Sequence, residues 1–312
     1  MEHFVTHFNK LFLPQGLALH ESLLKNVSNF KLWVVCIDQE TYEMLGKLKL
    51  VKTSLINLSN VETNELLVVK KERTIGEYCW TLTPFIPRFV FDKDKKITRV
   101  TYLDADLYFL KDPKPIFEQF DKSSKEVLIT DHSYSPEYDR SHESGQYCVQ
   151  FIIFNRSGGE SVRKWWEEKC IEWCYNRHED GKFGDQKYLD EWPKKFSSKV
   201  HVLNNPEWTL APWNASKYQY SKAIFYHFHE LKLLNFNEAI LSTYYILPEI
   251  LVRSIYYKYV ESLKKGIENL NKNGFKIYPQ KQKRGLLKKI LDLFIGFKSN
   301  LWRFKTHRYK KF

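Results

Sequence analysis

The chain has 312 residues, of which 43% are hydrophobic and 16% aromatic, a composition that excludes a disordered or low-complexity protein. The formal net charge is +12, but residues 281–312 contain eleven Lys or Arg and one Asp and so account for +10 of it. The preceding 280 residues are nearly neutral. A basic nucleic-acid-binding domain is therefore not expected, and the positive charge belongs to the C-terminal segment.

Five cysteines at irregular spacing argue against a disulfide framework, and we expect reduced thiols. Cys170 and Cys174 could form half of a metal site, but no second pair follows at zinc-finger spacing, so buried thiols are favoured. The first sixteen residues lack the pattern of a signal peptide, and no apolar run reaches the roughly 18 residues of a membrane span. These features predict a cytoplasmic location.

The first hundred residues alternate apolar runs with amphipathic segments, a pattern typical of βαβ units. Strands are predicted at HFVTHF (3–8), KLWVVCID (31–38), TSLINL (53–58) and ITRVTYLDADLYFL (97–110). Helices are predicted at GLALHESLLKNV (16–27) and QETYEMLGKL (39–48), and one long helical stretch at 65–91. The prediction is an α/β fold whose mostly parallel sheet has helices on both faces and binds ligands at the carboxyl ends of its strands.

The second half continues the pattern. Strands are predicted at VLITD (127–131), GQYCVQFIIFN (145–155) and AIFYHFHELK (223–232), a helix at 159–178, and a loop leading into a helix at DGKFGDQKYLDEW (180–192). Neither a repeat nor a Gly/Ser linker occurs. We therefore predict one domain over residues 1–235, followed by a helical extension over 236–312.

Two carboxylates, Asp104 and Asp106, follow the buried part of the strand at 97–110. Side chains two residues apart on a strand point to the same side, so these carboxylates are expected to converge. A hard divalent cation between them would relieve their repulsion. The alternative is a solvated turn, which the nearby KDPKP sequence would favour.

TYLDADLYFL resembles the Asp-x-Asp signature of GT-A glycosyltransferases. Three later segments resemble other parts of that family in the same order: CVQFIIFN, KFGDQKYLDEW and FYHFHELK. The similarity runs from about residue 3 to residue 232 and is closest to the family 8-related bacterial sugar transferases. It implies a GT-A fold and transfer of a sugar from a nucleotide-diphosphate sugar, UDP-sugar first, with Mn²⁺ or Mg²⁺ against the diphosphate. The implied acceptor is a glycan or lipid-linked oligosaccharide in cell-surface polysaccharide or lipopolysaccharide synthesis, and the resemblance favours retention of configuration.

The resemblance also implies roles for individual residues. The metal ligands would be Asp104 and Asp106 with His227, and His229 is a second candidate because both histidines fall on one face of the predicted strand. Asp185 and Gln186 would approach the donor sugar as catalytic residues. The alternative for Asp185 is to cap the helix that follows it.

The nucleotide-diphosphate would be contacted by Thr6, Arg73, Ala105 and Lys232. Thr6 and Arg73 could equally be surface groups. The chain departs from the family pattern at three positions: Gln150 and Glu230 stand where relatives often carry Gly, and Lys232 lies one place early. Four aromatic residues are candidates for sugar contacts or, alternatively, for packing: Tyr78, Trp80, Trp208 and Trp213.

The C-terminal segment 281–312 predicts contact with an anionic membrane surface. It combines its positive charge with apolar residues at helical spacing, at Leu287, Ile290, Leu291, Phe294, Phe297 and Leu301. Packing of this helix against the domain is the alternative. Together with the predicted cytoplasmic location, this places the protein on the inner face of the membrane.

Three other function classes share part of this sequence pattern. A haloacid dehalogenase-type phosphohydrolase also carries Asp-x-Asp after a strand, but Tyr108 stands where that class has a small residue. Nucleotidylyltransferases open with a Gly-rich loop that FVTHFNKLF lacks. A non-catalytic polyanion- or membrane-binding module would depend on the basic segment and would tolerate loss of both aspartates.

Overall fold

The computed structural model describes residues 1–235, 238–275, 300–303 and 308–311. In chain order the strands are β1 (Glu2–Phe8), β2 (Phe30–Cys36), β3 (Thr53–Asn57), β4 (Arg99–Leu103), β5 (Leu107–Phe109), β6 (Val127–Asp131), β7 (Tyr147–Asn155), β8 (Val200–Val202), β9 (Thr209–Leu210), β10 (Phe225–His227), β11 (Lys232–Asn235), β12 (Glu238–Ile240), β13 (Asn300–Arg303) and β14 (Arg308–Lys311). The helices are α1 (Leu13–Asn26), α2 (Gln39–Leu48), α3 (Asn64–Lys70), α4 (Ile75–Leu82), α5 (Phe85–Lys93), α6 (Lys114–Ser123), α7 (Ser141–Ser144), α8 (Glu160–Glu172), α9 (Trp192–Lys195), α10 (Glu249–Leu251) and α11 (Tyr257–Lys272).

Seven strands form the large sheet, in the order β3-β2-β1-β4-β7-β6-β8. The paired strands run parallel except at β7, which is antiparallel to both β4 and β6. Because β1 pairs with β2 on one side and with β4 on the other, the strand order reverses there and the carboxyl ends of β1 and β4 lie side by side. Ligands of α/β sheets bind at such a reversal. The predicted α/β fold with a mostly parallel sheet is confirmed.

The core lies on both faces of this sheet. Alternate strand residues point to opposite faces, so that Val5 and Tyr102 belong to one apolar cluster and Phe4 and Leu103 to the other. Trp166 of α8 packs in the first cluster, and Leu19 of α1 packs in the second. Helices therefore cover both faces, as the sequence predicts.

The long helix predicted at 65–91 is three helices, α3, α4 and α5. Thr74 begins α4 as its N-cap, accepting from the Glu77 amide, while the Glu77 carboxylate accepts from the Thr74 amide. This capping box fixes a new helix start inside the apolar stretch. Pro84 then precedes α5. Local capping chemistry therefore overrides the continuous apolar pattern, and the prediction of one helix is wrong.

Two other predicted elements end early. Helix α8 stops at Glu172 instead of reaching His178. The strand predicted at 223–232 ends at His227, and Glu230 adopts a left-handed backbone with φ of 66° before β11 begins. A strand cannot continue through that conformation, so His229 lies in a turn and does not share a strand face with His227.

The C-terminal part contacts the first helix. In helix α11, the hydroxyl of Ser262 donates to Glu21 of α1, and the position of Gly266 lies against Leu17. Strands β11 to β14 form a four-stranded sheet. The boundary at residue 235 stays a prediction. The amphipathic helix predicted from Leu287 lies outside the described residues except at its end, where residues 300–303 form a strand.

The described part of the chain contains no helix with the length and apolar character needed to cross a bilayer. All five cysteines are free, and only Cys79 is not fully buried. Cys170 and Cys174 lie in the apolar cluster beneath α8. The prediction of buried thiols at these two positions is confirmed.

Candidate functional site

The two aspartates occupy the turn that joins the large sheet to a smaller one. β4 ends at Leu103, residues 105–106 form a turn, and the Leu107 amide donates to the Asp104 carbonyl at 3.3 Å. β5 then pairs with β10 in a three-stranded sheet of order β5-β10-β9. The carboxylates converge as predicted, but a turn brings them together and not the two-residue period of a strand.

The pairing of β5 with β10 brings His227 to the aspartates. His227 lies opposite Leu107 in this antiparallel pair, and the next amide, of Phe228, donates to the Asp106 carbonyl at 3.0 Å. The imidazole Nε2 is 3.1 Å from Asp106 Oδ1 and 3.8 Å from Asp104 Oδ2. One ligand atom from each of the three residues lies within 4.8 Å of the others.

This cluster fits a divalent cation. The Asp104 and Asp106 side chains are 29% and 19% exposed, whereas that of His227 is 8% exposed, so the carboxylates can be reached from solvent. Carboxylate oxygens are the ligands that Mn²⁺ and Mg²⁺ prefer, and neutral imidazole is a common additional ligand. Asp104, Asp106 and His227 would therefore hold the ion.

Gln150 of β7 orients the His227 ring. Its Oε1 lies 2.8 Å from His227 Nδ1, and its amide nitrogen donates to the Thr130 hydroxyl at 3.3 Å. Since the amide oxygen is an acceptor, Nδ1 carries a proton, and Nε2 is the nitrogen that would bind a metal once it loses its own proton. The Gln150 carbonyl also accepts from the Asp104 amide at 3.0 Å. One buried residue thus holds two members of the cluster.

The charges in the cluster are strongly interdependent. Burial raises the pKa of Asp104 to about 6, with the Asp106 charge adding to this effect and His227 opposing it. Burial also disfavours ionisation of Asp106, but the adjacent His227 outweighs it and lowers the pKa of Asp106. Burial opposes protonation of His227, yet Asp106 raises the pKa of His227 well above its usual value. Without a cation, an imidazolium therefore balances the carboxylates.

Asp185 joins the cluster at its Asp104 end. It is 5% exposed, and burial, followed by the charge of Asp104, raises the pKa of Asp185 to about 8. Its side chain makes no capping bond to the short 3₁₀ helix Gln186–Glu191 that follows. Trp166 of α8 donates to the Asp185 carbonyl at 2.8 Å and fixes this segment. Asp185 is thus a neutral carboxylic acid near neutral pH, placed beside the aspartate pair.

Tyr102 was not identified as a site residue from the sequence. Its hydroxyl donates to Asp104 Oδ1 at 2.9 Å. The signal was its place two residues before Asp104 in the strand. The only signal for the role of Gln150 was a polar residue in the apolar run CVQFIIF.

Three other predicted residues make contacts within the fold or are buried. Gln186 donates to the Ser144 carbonyl at 2.8 Å. Arg73 is buried and donates to the Thr81 hydroxyl and the Ile171 carbonyl. Thr6 is fully buried at the end of β1. In this conformation the guanidinium of Arg73 and the hydroxyl of Thr6 do not face solvent, so their predicted nucleotide contacts would require rearrangement.

The remaining predicted residues, Ala105, Lys232 and His229, lie near the cluster. Ala105 is buried within the turn between the two aspartates. Lys232 is exposed at the start of β11 and close enough to His229 to lower its pKa. The His229 ring lies 5.8 Å from that of His227, and His229 is exposed at the surface. His229 is not part of the three-residue cluster.

Three of the candidate aromatic residues pack within the fold. Trp213 is 4% exposed, donates to the His132 carbonyl at 3.0 Å and lies edge-on to the His227 ring at 5.3 Å. The hydroxyl of Tyr78 donates to Glu62. Trp80 packs on Gly184, the residue before Asp185, which has a φ of 54°. Packing, the alternative noted from the sequence, therefore describes Trp213, Tyr78 and Trp80.

Comparisons with known proteins give close sequence relatives of unknown activity. The chain is 32% identical over 254 residues to the uncharacterized protein YfnF of Bacillus subtilis, covering 75% of this chain and 83% of that protein. It is 31% identical over 287 residues to YfnD of the same organism, covering 86% and 90%. No family model matches the chain.

Solved structures of glycosyltransferases share the fold. The bifunctional glycosyltransferase WbbM has a TM-score of 0.52 at 12% identity, covering 86% of this chain and 51% of WbbM. GlyE of Streptococcus pneumoniae has a TM-score of 0.51 at 15% identity, covering 90% and 66%. The galactosyltransferase LgtC, in complex with donor and acceptor sugar analogs, has a TM-score of 0.50 at 10% identity, covering 89% and 98%.

The two sequence relatives cover most of this chain, and the glycosyltransferase structures share its fold. The chain belongs to the same family as YfnF and YfnD, and its fold is the GT-A fold of nucleotide-sugar glycosyltransferases.

Proposed function

We propose that the chain is a metal-dependent glycosyltransferase that moves a sugar from a nucleotide-diphosphate sugar to a glycan or lipid-linked acceptor. The observation that carries this proposal is the cluster of Asp104, Asp106 and His227 at the carboxyl end of β4, next to the strand-order reversal. A structure with the same fold, LgtC, is a galactosyltransferase that binds donor and acceptor sugar analogs. We take a UDP-sugar as the first donor class, and retention of configuration as the expected stereochemistry.

The residues of the cluster suit the charge changes of sugar transfer. A bound divalent cation supplies positive charge against the diphosphate that departs from the anomeric carbon. Asp104, Asp106 and His227 hold that charge in place, and Gln150 and Tyr102 keep the ligand side chains oriented. Asp185, buried beside Asp104, can hydrogen-bond a donor-sugar hydroxyl through its carboxyl group. The chain thus supplies both metal ligands and a polar contact for the sugar.

Thermal unfolding tests this proposal. The full chain is heated with UDP, GDP, CDP or dTDP sugars, each with and without Mn²⁺. A stabilising shift is expected for one base class, UDP first, only when Mn²⁺ is present, since a ligand that binds only the folded state raises the unfolding temperature. Asp106→Ala should abolish the shift.

Asp92→Ala is the matched control, because Asp92 is an exposed aspartate on α5 that pairs with Lys95 on the surface. It should retain the full metal-dependent shift. A nucleotide-sugar shift that needs no metal, or one that survives Asp106→Ala, would count against the assignment. Binding of polyanions with steep salt dependence and no response to Asp106→Ala would favour the non-catalytic module instead.

We also propose attachment to the cytoplasmic face of a membrane, where a lipid-linked acceptor would be available. The charge of residues 281–312 supports this proposal. The helical segment before it adds apolar and basic groups to its exposed side: Ile250 is 66% exposed, and Arg253 and Tyr257 are also exposed. Such a face is suited to the interface between lipid headgroups and acyl chains.

A further inference from the structure

A second set of side chains lies beside the cluster and is not used by the metal site. Glu230, in its left-handed turn, accepts through Oε2 from the Tyr244 amide at 3.1 Å and from the Thr243 amide and hydroxyl, both at 3.3 Å. The Ser242 hydroxyl donates to the same oxygen at 3.2 Å. A left-handed backbone is unfavourable for Glu, and these four bonds hold residues 242–244 against the turn that follows His227.

Aromatic rings connect this segment to the metal cluster. The Tyr245 ring lies 6.2 Å from that of His229 and 6.3 Å from that of Trp213, which in turn contacts His227. Tyr244 lies 5.1 Å from Tyr245. Tyr245 is buried, whereas Tyr244 is 52% exposed. The exposed ring of Tyr244 is therefore connected to His227 through the rings of Tyr245 and Trp213.

Tyr138 completes this surface from a distant part of the chain. Its ring lies 5.0 Å from that of Tyr245 and 5.9 Å from that of Tyr244, and its hydroxyl accepts from the Ile246 amide at 2.9 Å. Tyr138 is half-buried. The rings of Tyr138 and Tyr244 thus have defined positions, set by contacts and hydrogen bonds on both segments.

The surface adjoins His229 through Tyr245, whereas Asp185 lies near Asp104. Tyr102 donates a hydrogen bond to Asp104, and Asp185 interacts electrostatically with it. His229, whose ring contacts that of Tyr245, interacts electrostatically with Asp106. In the proposed function Asp185 serves the donor sugar. The Tyr138 and Tyr244 surface is therefore free to serve the second substrate.

We propose that Tyr138 and Tyr244 form an acceptor subsite that binds a pyranose ring of a glycan, and that Glu230 is a positioning residue for Tyr244. Aromatic rings give a flat apolar surface for the C–H face of a sugar, while their hydroxyl groups remain available to its polar edge. The exposed phenol of Tyr244 offers both an apolar ring and a hydroxyl group, which suits a sugar better than an apolar peptide. This inference rests on the proposed glycosyltransferase function.

The test measures binding and turnover separately. Saturation-transfer NMR with methyl α- and β-hexopyranosides reports acceptor binding to the full chain with Mn²⁺ and UDP. Release of UDP from the donor identified by thermal unfolding reports turnover, with and without the hexoside. Wild type is expected to bind at least one hexoside. Tyr244→Ala should raise the KM for that hexoside roughly fivefold to tenfold, with the donor KM and the hexoside-independent UDP release within about twofold of wild type.

Conservative and distant variants make the result specific. Tyr244→Phe should retain most of the hexoside binding, because the ring is kept. Val68→Ala, which removes an exposed apolar side chain on α3, should leave the hexoside KM unchanged. Glu230→Gly suits the left-handed backbone but removes the four hydrogen bonds, so it should raise the hexoside KM without lowering kcat, and Glu230→Gln should restore part of the loss.

Several outcomes would overturn the inference. Absence of a saturation-transfer signal for every hexoside would do so, as would an unchanged hexoside KM in Tyr244→Ala. Loss of binding to vesicles of phosphatidylcholine and phosphatidylglycerol in Tyr244→Ala, with hexoside binding intact, would assign the surface to lipid. Failure of the proposed function itself is distinguishable, because wild type would then show neither a metal-dependent donor shift nor UDP release.

Discussion

Gln150 shows how much of the candidate site depends on a residue that binds neither metal nor sugar. Its side chain accepts from His227 and its main chain accepts from Asp104. It lies at 1% exposure in the centre of the sheet, between β4 and β6. Both contacts act on the geometry of the ligand atoms, so changes here should alter metal affinity before they alter the fold.

Gln150→Met removes the acceptor for His227 Nδ1 while keeping a side chain of similar size. We expect Mn²⁺ affinity to fall about 10- to 100-fold, the usual effect of losing a residue that orients a ligand. Gln150→Glu keeps an acceptor oxygen and should retain more of the affinity. Electron paramagnetic resonance of free Mn²⁺ during titration measures this directly. Equal affinities in wild type and Gln150→Met would show that the hydrogen bond does not orient the ring.

His132 gives a pH-dependent contribution to stability. It is 3% exposed, and burial lowers the pKa of His132 to about 3. Because its unfolded pKa is near 6.5, the unfolded chain binds more protons than the folded chain between these values, and stability falls as pH drops below about 6.5. The largest slope from this one residue is about 1.4 kcal/mol per pH unit.

His132→Phe keeps a ring against Tyr134, with which His132 stacks at 4.6 Å, but cannot titrate. Urea unfolding between pH 7.5 and pH 4.5 should therefore show a flatter pH dependence than in wild type. Parallel pH profiles for the two proteins would contradict the assignment of the effect to His132.

For individual site residues, the sequence predicted which residues form the cluster more accurately than it predicted their geometry. Asp104, Asp106 and His227 were predicted together because of their order in the resembling segments, and the structure brings them together. His229 was grouped with His227 because a strand was assumed, and the turn at Glu230 separates them. Whether the Arg73 side chain is exposed could not be predicted, because it depends on Thr81 and on the end of α8, which is distant in sequence.

The boundaries of helices and strands depend on short-range chemistry that hydrophobic periodicity does not record. The apolar pattern from 65 to 91 is continuous, yet the capping box at Thr74 and Glu77 starts a separate helix. The reversed direction of β7 was also not predicted, since strand order and direction are set by pairing between distant segments.

Thr74→Ala removes the side-chain acceptor for the Glu77 amide at the start of α4. We expect a loss of about 1 kcal/mol in the free energy of unfolding, because the amide at a helix start is left without its cap. Thr74→Ser keeps the hydroxyl and should lose much less. Chemical unfolding of the three proteins measures the difference, and equal stabilities for Thr74→Ala and Thr74→Ser would show that the cap contributes little.

The whole chain combines a nearly neutral α/β domain with a basic C-terminal segment, and the sequence alone gives this division. The parallel sheet was predicted from alternating strands and helices, and the structure and the GT-A neighbours confirm it. The packing of α11 against α1 was not predictable, because it joins segments more than two hundred residues apart.

Neutralising part of the basic segment tests its proposed role. Lys288→Gln, Lys289→Gln and Lys298→Gln in one chain should weaken binding to vesicles of phosphatidylcholine and phosphatidylglycerol. Each lysine near an anionic surface contributes about 1 kcal/mol, so the triple variant should lose on the order of a hundredfold in affinity. Co-sedimentation with vesicles at low salt measures it.

The control replaces three other lysines by Gln: Lys93, Lys95 and Lys96, which are exposed at and just after the end of α5. It should bind vesicles as wild type does. An equal loss in the two triple variants would indicate a general charge effect and would remove the membrane role from residues 281–312.

The turn at Asp104–Asp106 is also the point where the polypeptide passes from the seven-stranded to the three-stranded sheet. An ion bound there would link the two sheets. His227 belongs to the three-stranded sheet, and Asp104 directly follows β4 of the seven-stranded sheet. The Phe228 amide after β10 donates to the Asp106 carbonyl in this turn, and its hydrogen exchange should slow when Mn²⁺ is added. The two sheets would then be fixed relative to each other only when the ion is bound, so that metal binding would complete the site before either substrate enters.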